Sequence, residues 1–192
     1  MTQLTLGLLI FLGAHSTRIF ADDWRTQQMA RLGENRWKGL YALVSLIGFG
    51  LIVWGYDQTR TTPIDLWNPP IWTRHLASLL TVPAFVLLVA AYVPGSRIRM
   101  LLGHPMIAGV ALWAFAHLLS NGRLGDVMLF GAFLLWALLD FTASRRRDRA
   151  AGTRYPAGTL ARDGLVLVIG LVAWVAFVKM VHLWLIGVAP FG

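Results

Sequence analysis

Cysteine is absent from the chain, and that single absence excludes disulfides, thiolate metal sites, catalytic thiols and the C-x-x-C-H attachment of a covalent haem. Charge is also scarce: Asp, Glu, Lys and Arg make up 14% of the 192 residues. Acidic residues are the rarer sign, nine against 17 basic ones, for a net charge of +8. A basic chain raises the question of nucleic acid, but the Lys and Arg residues lie between apolar runs, not on one amphipathic face or a tail, and no nucleic-acid partner is expected. There is no internal repeat, low-complexity stretch or second domain, so residues 1–192 read as one domain. Apolar residues fill the space left by charge: 57% are hydrophobic and the mean hydropathy is +0.62, which places the chain in the membrane class.

Six segments have the length and apolarity of membrane helices, at about 4–20, 39–56, 72–93, 101–120, 124–143 and 164–187. The expected fold is therefore all-α, a polytopic bundle of about six transmembrane helices. The N-terminal run has no Lys or Arg before it and no small-x-small cleavage site, and reads as a retained first span. Pro63, Pro69 and Pro70 make the 57–72 stretch an extended surface loop, while "SNGRLGD" turns the fourth span tightly into the fifth. The loops at 18–38, 94–104 and 144–163 carry thirteen Lys and Arg residues, against three (Arg60, Arg74, Arg123) on the other side. That asymmetry puts both termini outside, with Trp54, Trp67, Trp72 and Trp184 at the outer boundary and Trp24 and Trp37 at the inner one.

Ionisable groups inside a bilayer are functional candidates, provided that they lie deep enough. At ~1.5 Å per residue across a core of ~30 Å, His15 and His117 fall within ~4 Å of the same depth, on different helices. His75 and His182 count to the outer surface and His104 to the inner one. A mid-membrane imidazole pair projecting from facing helices can grip a haem iron from both sides, with Trp113 and Phe115 packed on the porphyrin. Arg18, one turn after His15, can hold a haem propionate or pair with Asp22. The plainer alternative is that each histidine only hydrogen-bonds a neighbouring helix. Lys179 and His182 share a face near the outer end, where lysine snorkels to water. Asp140 is expected to pair with the "RRRDR" run at 145–149, itself a topology anchor. Gly48, Gly50, Gly103 and Gly109 permit close helix approach.

The stretch "GHPMIAGVALWAFAHLLSNG" at 103–122 resembles the central signature of the NnrU family of bacterial membrane proteins, in which an H-P element opens a helix and A-H-L-L-x-N-G closes it. The likeness extends to "LGENRWKGLYALVSLIGFGLIVWGY" at 32–56, "LWNPPIWTRHLASLLTVPAFVLLVAAYVPG" at 66–95 and "FGAFLLWALLD" at 130–140. Beyond about residue 150 only the general character matches. The resemblance implies a multi-pass protein of the bacterial inner membrane, associated with denitrification through production of active nitrite and nitric oxide reductases. The family is also similar to 15-cis-zeta-carotene isomerase, which holds a b-type haem between a histidine of its first matching span and one in the A-H-L element. Carried over by position, these are His15 and His117, the pair that depth selects independently. His104 carries over as a boundary residue without a role. The isomerase's longer N-terminal region has no counterpart here, and its carotenoid substrate does not transfer; a haem-dependent isomerase is one reading among several.

Two other classes stand beside this one. "GHPMIAG" is similar to the R-H-P-x-x-x-G element with which isoprenylcysteine-type methyltransferases hold S-adenosylmethionine, although Gly103 replaces the arginine and the later acidic-basic pair is missing. A non-catalytic assembly or maturation factor would contact a respiratory reductase through the 57–72 loop and the basic inner loops, its histidines purely structural. A transporter is disfavoured, because no pair of broken midplane helices is visible.

Overall fold

The computed structural model describes residues 1–190. These form α1 (Thr2–Phe20), α2 (Asp22–Leu32), α3 (Glu34–Thr61), α4 (Ile71–Tyr92), α5 (Arg97–Leu102), α6 (Pro105–Ser120), α7 (Leu124–Ala151), α8 (Leu160–Ala176), a π-helical turn (Phe177–Val181) and α9 (His182–Ile186). The all-α polytopic expectation holds, and among the described residues there is no strand beyond two isolated bridges. The helices α3, α4, α7 and the run Leu160–Ile186 are long and apolar enough to cross a bilayer. They bury only 11–28% of their apolar windows inside the protein, so their remaining surface suits lipid.

The other two expected spans differ in detail. α1 is followed, after a bend of 100°, by α2, so the basic 18–38 stretch is a helix crossing the end of the bundle where a loop was expected. Its Trp24 stacks edge-on against Trp37 of α3, which fits two amphipathic rings at an interface. α6 has 16 residues, about 24 Å, short of a ~30 Å core. It is short because Gly103, at φ 73°, breaks the run and leaves Leu101 and Leu102 in α5.

The helices pack as an open row in the order α3, α1, α7, α6, α4, α8. α1 lies close on α3 because a Cβ at Gly7 or Gly48 would strike the partner's backbone, the small-residue contact by which helices approach in lipid. Gly109 does the same for α6 against α4, whereas Gly50 faces nothing and Gly103 meets the ring of Tyr155 instead of a helix. Leu4, Leu8, Ile52, Ala114, Leu129 and Phe130 form the buried centre of the row. A smaller cluster of Val86, Ala90 and Val166 holds α8 to α4.

Contacts between turns define the two ends. At one end the α3–α4 loop pairs with the α6–α7 turn through Leu66 N–H and Leu124 N–H, and Arg60 donates to the Ile186 carbonyl. At the other end Thr159 N–H bonds the Gly95 carbonyl and Arg147 reaches the Arg18 carbonyl. The thirteen-residue basic set lies at this second end, which we call the inner end on the strength of the charge asymmetry.

Candidate functional site

α1 and α6 do not contact each other; both pack on α7. α7 therefore lies between them and carries Phe130, Phe133 and Trp136, three aromatic residues spaced by three, a stripe that rotates slowly around a 3.6-residue helix. His15 lies over the inner part of this stripe, edge-on to Trp136 with ring centroids 6.0 Å apart. It also stacks on Phe11 at 4.2 Å and meets Tyr41 of α3 at 5.2 Å. His117 lies over the outer part, stacked on Phe130 at 4.6 Å, with Trp113 at 5.2 Å.

The two imidazoles share one hydrogen-bond arrangement. His15 Nδ1 is 2.7 Å from the Phe11 carbonyl and His117 Nδ1 is 2.8 Å from the Trp113 carbonyl. A carbonyl only accepts, so each Nδ1 carries a proton, and the neutral form of either ring has its lone pair on Nε2. A backbone carbonyl orienting a histidine in this way is the support found behind metal-ligating imidazoles. Neither Nε2 has a protein partner among the described residues.

Depth is where geometry departs from expectation. His15 and His117 rest on α7 residues six apart, about 9 Å of rise, where ~4 Å in depth was expected. Their rings do not touch. Between them runs an aromatic file in which Phe11 meets Phe133 at 5.8 Å and Phe133 meets Trp113 at 5.8 Å. The donor chemistry fits haem: two neutral nitrogens with open lone pairs among aromatic rings. A macrocycle ligated by both would take the places of the Phe133 and Trp113 side chains.

The remaining expected residues are distributed unevenly. Arg18 is exposed, and its pairing with Asp22 is not made, because the bend after α1 turns Asp22 to Arg25 at 3.5 Å. Asp140 does pair with the basic run, through Arg147 at 3.7 Å. Lys179 is exposed on the π-helical turn. His182 donates from Nδ1 to the Val188 carbonyl at 2.7 Å.

Two polar clusters escaped the sequence. Near His117, the Tyr56 hydroxyl donates to Asp126 Oδ1 at 2.7 Å, while Asp126 Oδ2 caps α7 by accepting from Arg123 N–H. The only hint was the Asp three residues into "RLGD", an N-terminal capping position. At the inner end, His104 Nε2 and the Tyr155 hydroxyl both donate to Asp148 Oδ2, at 2.9 and 2.7 Å. Burial and that bond to a carboxylate push the Tyr155 phenol above its ordinary range. The separation of 44 positions from His104 to Asp148 leaves no local pattern to read.

Fold and donor pair together define a polytopic helical membrane protein carrying two imidazoles among packed aromatic side chains. The family model described as NnrU protein matches residues 3–190, and the chain belongs to that family. No curated protein and no solved structure matches it.

Proposed function

We propose that this protein holds one non-covalent b-type haem between α1 and α6, where His15 and His117 would ligate it. The observation that carries the reading is the pair of Nε2 lone pairs, each left open by a backbone-anchored Nδ1–H. Among the described residues no group of three or more His, Cys, Asp or Glu side chains could hold a bare ion. Two imidazoles instead match a metal that brings its own equatorial nitrogens. Trp113 packs against the His117 ring and would have to move aside before flanking the macrocycle, while Arg18, one turn past His15, would meet a propionate at the inner boundary.

Haem in such a site supplies reversible binding of nitric oxide or oxygen, or one-electron exchange. The Phe11 and Trp113 carbonyls orient the two imidazoles, and Phe11, Phe130 and Trp136, packed on those rings, would exclude water from a bound haem. In the cell, we place the protein in the bacterial inner membrane, supporting production of active nitrite and nitric oxide reductases. A haem-dependent isomerisation remains the enzymatic form of this reading. The methyltransferase alternative needs His104 for its cofactor, and that ring is engaged by Asp148.

The test is an absorption spectrum of detergent-purified protein, oxidised and dithionite-reduced. A Soret band with sharp reduced α and β bands, lost in both His15→Ala and His117→Ala, is the expected result. A second reading is favoured by the rings that fill the space between the histidines: the aromatic file is then plain core and the protein a non-catalytic maturation factor. A colourless wild type that takes up no added haem would decide for it.

A further inference from the structure

At the inner end the carboxylates are engaged by neutral or imidazole donors instead of by arginine. Asp163 accepts from the backbone N–H of Arg97 at 2.7 Å and of Ile98 at 3.4 Å, and Asp148 accepts from His104 and Tyr155. The segments 94–104 and 144–163 hold eight arginines and two aspartates, so arginine there is in large excess. Among the described residues only Arg147 of the eight makes an ion pair, with Asp140. The side chains of Arg97, Arg145 and Arg162 have neither a hydrogen bond nor an ion pair among those residues.

Tertiary contacts gather this charge around α5. The turn before α5 joins the start of α8: Thr159 N–H bonds the Gly95 carbonyl, Ser96 and Thr159 form a bridge, and the Arg162 side chain passes beside Gly95. Arg97 and Arg162 both leave this junction exposed. Two residues further on, Arg99 acts through space on the Tyr155 phenol, as does Arg145 of α7. Large apolar side chains border the same junction and stay uncovered by the protein: Tyr92 at the end of α4 is 75% exposed, Leu101 71% and Leu160 at the start of α8 68%.

We propose that the surface built on α5 binds the phosphate of an anionic phospholipid of the inner leaflet, with Arg97 and Arg162 as its principal contacts. A phosphodiester accepts forked hydrogen bonds from guanidinium groups, and its acyl chains would lie over Tyr92, Leu101 and Leu160. A nucleic acid or free phosphate would use the charge and leave those apolar side chains in water. A zwitterionic lipid brings an ammonium that unpaired arginines repel. Topology asks only that positive charge lie on this side of the membrane; it does not require arginines of α5, α7 and α8 to be brought together. The inference does not rest on the haem reading, because none of these residues belongs to the proposed haem site.

The full chain, purified in dodecyl maltoside and stripped of lipid, is titrated with dioleoyl phosphatidylglycerol and, separately, dioleoyl phosphatidylcholine, and bound lipid is counted by native mass spectrometry. Saturable preference for phosphatidylglycerol is expected, weakened about fivefold by each of Arg97→Gln and Arg162→Gln. Arg97→Lys, which keeps the charge, should bind more tightly than Arg97→Gln. Arg31→Gln, which removes an exposed charge of α2 at the same end of the protein, should bind as the wild type does. Equal retention of the two lipids, or a loss in Arg31→Gln as large as in Arg97→Gln, overturns the proposal and leaves diffuse net charge. Displacement of the lipid by inorganic phosphate or by a short RNA overturns it in favour of a soluble anion.

Discussion

His104 and His117 stand at opposite ends of α6 and differ in one respect that decides their chemistry. His117 gives its Nδ1 proton to a backbone carbonyl one turn back and leaves Nε2 open. His104 commits Nε2 to Asp148, beside the Tyr155 hydroxyl, and so joins α6, α7 and the loop before α8. A carbonyl partner within the helix orients an imidazole without tying helices together; a carboxylate from another helix ties the helices and occupies the ring. The comparison teaches that the role of a histidine in this chain is set by its partner more than by its motif.

The sharpest way to break the comparison is spectroscopic. His117→Ala and His15→Ala are expected to abolish the haem bands while leaving the apoprotein folded, and His104→Ala to keep the bands at full intensity while lowering the thermal midpoint. Bands lost in His104→Ala and kept in His117→Ala would reverse the assignment. Phe133→Ala sharpens it, since opening the aromatic file is expected to raise haem uptake several-fold in a titration with added haemin.

Smaller effects belong to the inner end. Gly103 sits at φ 73° with the Tyr155 ring against the place of its missing Cβ. Gly103→Ala should therefore destabilise by about 2 kcal/mol, combining the backbone cost of a left-handed conformation with displacement of Tyr155. Tyr155→Phe removes one hydrogen bond to Asp148 and should cost about 1 kcal/mol by thermal unfolding. The same phenol gives a pH dependence of definite sign. Its folded pKa is raised, so its contribution is complete below about pH 10, the unfolded value, and is lost as pH climbs through the folded one. Wild type should lose stability above pH 10 more steeply than Tyr155→Phe.

The parts legible in the sequence were those carried by composition and local pattern. The apolar runs marked α3, α4, α7 and α8, the "SNGRLGD" turn marked the α6–α7 hairpin, and the Lys and Arg asymmetry anticipated which turns share an end. Legibility failed where tertiary geometry takes over. Nothing local announces that Gly103 adopts a positive φ and divides the 101–120 run, or that residues 22–32 are helical and turned by 100°. Counting depth along two separate helices missed the offset of His15 from His117, because that offset is set by how each packs on α7. The residue types at the candidate site were readable, but their relative placement was not.

The open row of helices has a mechanical consequence. α3 with α1 forms one leaf, and α6 with α4 and α8 forms another; α7 is the member common to both, and among the described residues the leaves meet again only at the outer end, where Arg60 of α3 donates to the Ile186 carbonyl. A large flat guest admitted from the side would have to displace the few rings that bridge the leaves, Phe11, Phe133 and Trp113, and would leave the tight internal contacts of each leaf in place.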